Sequence, residues 1–151
     1  MALSSCSLRK ELSSVQINAV QLEHVQPASP SNVLGSIGNG VGDVQLKIKN
    51  MTTRQIIYSS EVYEDASDKN TCMFIKNVPI LISDLNAAFR ADIYDFDSFS
   101  SDEWIGGFDI RFPEYKDDHK ILLTNNTNAM DVTMLADWAY MKKKSRKHKE
   151  K

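Results

Sequence analysis

Asp95 and Asp97 stand two residues apart where an alternating apolar run ends, and Asp102 or Glu103 returns a further carboxylate after a loop of four or five residues. Residues two apart on a strand point to the same side. Two carboxylates held that close repel each other, and a cation relieves the repulsion. Ca²⁺ is a hard cation that takes six to eight oxygens at roughly 2.3–2.6 Å, so it suits clustered carboxylates and carbonyls. The plainer alternative is an acidic loop tip with no ligand, because Asp favours turns. Phe96 and Phe99 flank Asp97 and Ser98 in the same stretch. A Phe on such a loop gains from exposure only if a membrane or partner covers it; otherwise it folds back to cap the core.

Other chemistry finds little support. His24, His119 and His148 are scattered, and neither Cys6 nor Cys72 lies within metal-ligand spacing of one. The two cysteines read as lone reduced thiols, which suits a cytoplasmic protein. No Gly-x-Ser-x-Gly elbow or His-Glu-x-x-His pair occurs. The glycines of GSIGNGVGD precede a strand pattern, so no helix N-terminus is available for a phosphate. The Asn50-Met-Thr and Asn125-Asn-Thr triplets fit the glycosylation pattern, but triplets this short arise by chance. The chain reads as a binding module and not as an enzyme.

The net charge of −2 conceals an asymmetry. Between Lys142 and Lys151 lie seven Lys or Arg and one Glu, a local charge of +6 that leaves 11 basic and 19 acidic side chains, −8, on the rest. Lys142, Lys143, Lys144, Arg146 and Lys147 form the kind of cluster that anionic lipid attracts, at about 1 kcal/mol per residue near the surface. Similar clusters serve nuclear import or bind nucleic acid and acidic proteins, and the commonest outcome for a terminal charge run is a solvated end. We read the tail as a supporting electrostatic contact, with nucleic acid set aside as a partner.

The elements that must hold these residues are strands. The chain of 151 residues fits one domain that can bury a core without disulfides or a metal. Val15, Ile17 and Ala19 alternate with polar residues, then Leu22 and Val25 break the rhythm, which suggests a bulged first strand. Gln26 to Gly42 is rich in Pro, Ser, Asn and Gly and reads as a long loop. Strand patterns follow in DVQLKIKN, RQIIYSSEVY, CMFIKNV, AAFRADIYDFD, WIGGFDIRF with Trp104, Phe108, Ile110 and Phe112 in phase, KILLT and MDVTMLADWAY. That makes eight strands, with room for a short helical turn over Ile82 to Ala88. No apolar run approaches the ~20 residues of a spanning helix, and Met1 to Ser14 has neither a signal-peptide core nor Gly at position 2.

The string IYDFDSFSSDEWIGGFDI resembles the third loop of C2 domains, above all the synaptotagmin type, which has the form DFD-x-FS-x-x-D-x-IGEF. GDVQLKIKN stands where that family has Ser-Asp-Pro-Tyr-Val-x-Val, without the Pro and Tyr, and VQINAVQL is similar to its V-x-I-x-x-A-x-x-L strand, one residue shorter. The resemblance spans Val15 to Tyr140 and implies an all-β, eight-stranded antiparallel sandwich in the type II strand order. It divides the chain into an N-terminal extension (1–11), a C2 domain (12–141) and a basic tail (142–151). In that register Asp43, Asp95, Asp97 and Glu103 fall at acidic Ca²⁺-ligand positions, Ser100 at the carbonyl position, and Phe99 at the tip that enters the bilayer. The family's first-loop aspartate pair is represented by Asp43 alone, and there is no Asp or Glu between His24 and Gly42. Fewer carboxylates imply weaker Ca²⁺ binding or none. The resemblance therefore implies a cytoplasmic module for peripheral binding to anionic phospholipid, or a Ca²⁺-independent C2 domain that engages a protein partner.

Overall fold

The computed structural model describes residues 10–25, 42–96, 101–125 and 129–142. They form nine strands: β1 (Lys10–Glu23), β2 (Asp43–Asn50), β3 (Ile56–Ser59), β4 (Cys72–Phe74), β5 (Ile80–Ile82), β6 (Phe89–Phe96), β7 (Glu103–Ile110), β8 (Lys120–Thr124) and β9 (Asp131–Lys142). One sheet has the order β4–β1–β9–β8, with β5 also paired to β1; the other has the order β3–β2–β6–β7. Every pairing is antiparallel. The inward side chains of the two sheets make one core: Val15, Ile17, Val20 and Leu22 of β1 and Val132, Met134 and Ala136 of β9 face Val44, Leu46 and Ile48 of β2 and Phe89, Ala91 and Ile93 of β6. Phe112 closes it from below, edge-on to Phe89 at 5.3 Å between ring centroids.

The expected all-β sandwich is present, with corrections that have local causes. The count is nine strands rather than eight among the described residues. The segment after Cys72 breaks at Asn77, whose φ of 61° turns the chain, and at Pro79, which has no N–H to donate. Two three-residue strands result, and both lie along β1. Ile82, allotted to a helical turn, belongs to β5, and the residues up to Ala88 form a turn; the one helical segment described is a 3₁₀ turn over Phe112–Tyr115.

RQIIYSSEVY keeps only four residues as strand. At its end the buried hydroxyl of Ser60 takes the N–H of Leu46 (2.9 Å), and Glu61 peels away to accept the N–H groups of Ile75 (3.0 Å) and Lys76 (3.2 Å). In β1 the register shifts twice, between Leu12 and Ser14 and between Ile17 and Ala19; after the second, Val20 and Leu22 turn inward and Ala19 does not. The described strands reach from Lys10 to Lys142, so β1 extends two residues into the stretch read as an extension and β9 takes in Lys142.

Asn50 is buried, and its Oδ1 accepts the N–H groups of Thr52 (2.9 Å) and Thr53 (3.0 Å), so the first sequon residue holds the β2–β3 turn instead of offering an amide to a glycan. Cys72 is a free, fully buried thiol, and Cys6 lies outside the described residues.

Two buried acids make stability fall at alkaline pH. Burial pushes Cys72 up to about 11. Burial, and after it the charge of Glu61, pushes Tyr58 up to about 12. Each keeps its proton in the folded chain at pH values where the unfolded chain, with pKa values of 9.0 and 10.0, has lost it. The stabilisation is therefore full below pH 9 and drains away as pH rises toward 12. Urea unfolding from pH 8 upward should show this fall. Tyr58→Phe should lose less stability than the parent above pH 10, and parallel curves for the two chains would refute the assignment to Tyr58.

Candidate functional site

Three neighbouring strands deliver acidic residues to one end of the sandwich. In the β2–β6 register Asp43 sits opposite Phe96 and Val44 opposite Asp95, and in the β6–β7 register Asp95 sits opposite Glu103. The segment from Tyr63 to Cys72 crosses between the sheets at this same end. Asp65 N–H donates to Asp43 Oδ1 at 3.2 Å, and Thr71 Oγ1 donates to Glu23 at 3.2 Å. Gly42 makes room for Asp95: a Cβ at position 42 would overlap its carboxylate, with Cγ only 2.9 Å away.

The carboxylates share an end without forming a cage. By alternation Asp95 continues the inward set of Phe89, Ala91 and Ile93, whereas Asp43 belongs to the outward set of β2. Asp102 is drawn aside to Lys47 Nζ at 3.5 Å, both side chains being about three-quarters covered. Glu103 is exposed and Phe96 half-buried at the close of β6. Among the described residues no three His, Cys, Asp or Glu side chains gather closely enough to hold a metal ion. Asp97, Phe99 and Ser100 lie outside the described residues, as do Lys143, Lys144, Arg146 and Lys147 of the tail. Lys142 closes β9 opposite Lys10, at the far end of the sheet from the acidic residues.

A polar network beside the loop was not foreseen from the sequence. Asp92 Oδ1 accepts from Arg90 Nε (2.8 Å) and from Trp104 Nε1 (2.9 Å), while the Arg90 guanidinium lies 5.6 Å from the Trp104 ring. Next to it Lys47 Nζ sits 4.8 Å from the centre of the Tyr94 ring. Burial, and after it the charge of Asp92, holds the Tyr94 hydroxyl above its usual pKa. Trp104, expected to face the core, is 49% exposed. The β6–β7 register shifts between Ile93 and Tyr94, leaving Ile105 as the extra residue, so Trp104 turns outward although it keeps even spacing with Phe108 and Ile110. The four polar residues that precede Trp104, Ser100 to Glu103, were the available signal.

Comparisons with solved structures locate this architecture. The C2A domain of a plant extended synaptotagmin 1 matches 91% of the chain over 100% of its own length, with a TM-score of 0.57 and 14% identity. The C2A and C2B domains of extended synaptotagmin 2, calcium bound, match 83% of the chain over 45% of their length, with a TM-score of 0.54 and 14% identity. The chain has the C2 fold. Human GIVD cytosolic phospholipase A2, in complex with an inhibitor and terbium chloride, matches 87% of the chain at a TM-score of 0.58 and 14% identity. The chain spans only 18% of that enzyme's length, so the likeness concerns one part of it. No model of a protein family and no curated protein sequence matches the chain. Among the described residues no helix is long and apolar enough to cross a membrane. In this C2 fold the acidic end is where β6 ends and where β2 and β7 begin.

Gly107 holds the network open, because a Cβ there would sit 2.6 Å from Asp92 Oδ1 and 2.9 Å from Arg90 Nε. Gly107→Ala should therefore push Arg90 and Asp92 apart, at about 1–3 kcal/mol in overpacking. In a Trp138→Phe background, acrylamide quenching of Trp104 should rise; unchanged quenching and melting would show that the network tolerates the methyl group.

Proposed function

We propose that this C2 domain is a peripheral membrane module that docks its acidic loop end on anionic phospholipid. The observation that carries this reading is the register that sets Asp43, Asp95 and Glu103 on adjacent strands beside the DFDSFS loop. Phe99 supplies apolar burial at the tip, and the basic tail supplies attraction to the charged surface. The type II strand order, supported by the β1–β9 pairing, belongs to the same reading. So does a cytoplasmic location, with Lys143 to Lys151 as a flanking extension.

Ca²⁺ is the cation this reading assigns to the acidic end, and the described carboxylates would have to draw together around it, since as they stand no three of them gather closely enough to hold a metal ion. The donors would be the carboxylates of Asp43, Asp95, Asp97 and Glu103 with the Ser100 carbonyl, one acidic position short of the family's set. Bound there, the cation would neutralise the carboxylates and open the end to lipid phosphate. A second reading, a Ca²⁺-independent domain that engages a protein, is favoured by the Asp102–Lys47 ion pair, which diverts a loop carboxylate toward the sheet face. Catalysis belongs to neither reading.

Liposome co-sedimentation with and without Ca²⁺ separates them. On the membrane reading Phe99→Ala lowers binding at low and high salt alike, by about 1.5–3 kcal/mol for a fully buried ring. Removing residues 143–151 lowers it mainly at low ionic strength, because the tail's attraction is screened. Binding that ignores both changes would transfer the function to a protein partner. For the cation, calorimetry of the parent chain should give weak Ca²⁺ binding that Asp97→Asn abolishes. Gly42→Ala should weaken it as well, by displacing Asp95 while the fold persists. Equal Ca²⁺ affinity in parent and Asp97→Asn would remove Ca²⁺ from the proposal.

A further inference from the structure

At the end of the sandwich away from the acidic residues, β1 and β9 run on together to Lys10 and Lys142. Leu12 and Trp138 pack against the core, which identifies the inward side of both strands there. Tyr140 stands opposite Leu12 and Lys142 opposite Lys10, all on that same side by alternation. Side chains paired in this way are about 4.5–5.5 Å apart at Cβ, and like charges directly opposite each other are destabilising. The ladder therefore closes on a repulsive pair of ammonium groups.

A third lysine joins them from another part of the chain. Lys116 follows the 3₁₀ turn Phe112–Tyr115, and its Nζ lies 5.6 Å from the centre of the Tyr140 ring. Lys142 is two residues beyond that ring, about 6.6 Å along the strand. Lys10, Lys116 and Lys142 are all exposed, and among the described residues no carboxylate lies within ion-pair distance of any of them. Two of the neighbouring acids face elsewhere: Asp117 accepts the Tyr140 hydroxyl, and Glu11 alternates to the outer face of the sheet. The sequence continues the same charge on both sides, with Arg9 before Lys10 and Lys143 and Lys144 after Lys142.

An anion relieves this repulsion, and the donors narrow its type. An ammonium is a compact point charge with three rotatable donors, suited to the oxygens of a phosphate; the flat bidentate fork that favours carboxylate belongs to Arg. A phosphomonoester carries about −1.5 to −2 at neutral pH, so one group offsets two lysines where a carboxylate offsets one. We infer that Lys10, Lys116 and Lys142 form a binding site for clustered phosphomonoesters at the end of the sandwich opposite the acidic residues. The Tyr140 ring, anchored through its hydroxyl to Asp117, holds the Lys116 ammonium in place. Lys10 and Lys142 reach the same anion from the strand ends. Because the folded ladder brings the lysines together, the anion stabilises the folded chain. The site uses none of the loop residues of the membrane reading and goes beyond it.

Calorimetric titration of the full chain with inositol hexakisphosphate, in Ca²⁺-free buffer, should give saturable binding. Benzenehexacarboxylate, which presents as many carboxylates, should bind more weakly at the same ionic strength. Lys116→Gln should weaken hexakisphosphate binding about fivefold, the effect of one lysine near an anionic surface, and Lys10→Gln and Lys142→Gln should do the same. Lys69→Gln, which removes an exposed lysine at the acidic end, and Phe99→Ala should leave it unchanged. Lys10→Glu turns the repulsive pair into an attractive one: it should melt no lower than the parent in anion-free buffer, yet lose the rise in Tm that the parent gains with the phosphate. Flotation with phosphatidylcholine vesicles carrying phosphatidic acid, against vesicles of equal charge carrying phosphatidylserine, separates the two sources of the phosphate. A preference for phosphatidic acid that Lys116→Gln removes assigns the site to a lipid headgroup; hexakisphosphate binding without that preference assigns it to a soluble ester. No saturable binding, equal losses in Lys69→Gln and Lys116→Gln, or carboxylate binding as tight as phosphate overturns the inference. So does equally tight binding of a DNA duplex of matched charge, which would make this end a nonspecific polyanion contact.

Discussion

The antiparallel ladder between β1 and β9 is the interaction on which the five-stranded sheet depends. It runs from Lys10 opposite Lys142 to Glu23 opposite Asp131, joining the first described strand to the last. The other strands of that sheet hang from it: β4 and β5 pair only with β1, and β8 pairs only with β9. Three-residue strands have no independent stability, so their place in the sheet depends on this long-range closure. The other sheet assembles differently. The β2–β3 and β6–β7 pairs are hairpins closed by short connections, and the β2–β6 ladder joins them. The acidic end is thus set by a register within one sheet, while the core that fixes that sheet's tilt requires the chain ends to meet.

What was legible in the sequence follows from which physics acts at short range. The strict alternation of Val44, Leu46 and Ile48, and of Phe89, Ala91 and Ile93, returns intact, because both strands are internal and unbulged over that stretch. Where a bulge intervenes, spacing misleads. Ala19 keeps period two with Ile17 yet faces away, and Trp104 keeps period two with Phe108 yet lies on the surface. A bulge is one residue of slack chosen by the partner strand, so a single strand's pattern cannot announce its position. The first strand's broken rhythm did signal that a bulge existed. The end of β3 was hidden for another reason: a Ser60 hydroxyl replaces a ladder partner, and a Ser in an alternating run gives no notice of it. The acidic residues were legible as a set of carboxylates. Their division between opposite sides of the sheet depended on pairing the sequence does not display.

Polar groups around the loop end are organised to avoid stranded charge. Asp43 accepts a backbone N–H, Asp102 has Lys47, and Asp92 collects both Arg90 and the Trp104 indole. No buried side-chain nitrogen or oxygen among the described residues lacks a partner. That economy explains the placement of two glycines: Gly42 lies against the Asp95 carboxylate and Gly107 against the Asp92–Arg90 pair, where any Cβ would enter space the polar groups occupy. The exposed Trp104 is consequently a fixed ring and not a loose one, since a hydrogen bond on one side and a guanidinium over its face hold its orientation.

Lys142, the first residue of the basic cluster, lies at the opposite end of β9 from the acidic loop end. β9 starts at Asp131, across from Glu23 at the loop end, and finishes at Lys142. Its twelve residues cover about 36 Å at ~3.3 Å of rise from each residue to the next. At physiological salt the Debye length is about 8 Å, so exposed charges at the two ends scarcely sense each other. The basic tail therefore cannot neutralise the acidic end unless residues 143–151 run back along almost the whole sheet; fully extended they reach about 30 Å. A membrane approached loop-first meets the acidic end before it meets the tail, and the repulsion there has to be relieved locally, by a cation or by the loop's own apolar burial. Approach by the tail puts the long axis of the sandwich in a different relation to the surface. The separation of the two ends leaves the flank between them, where β7 and β8 run, distant from both.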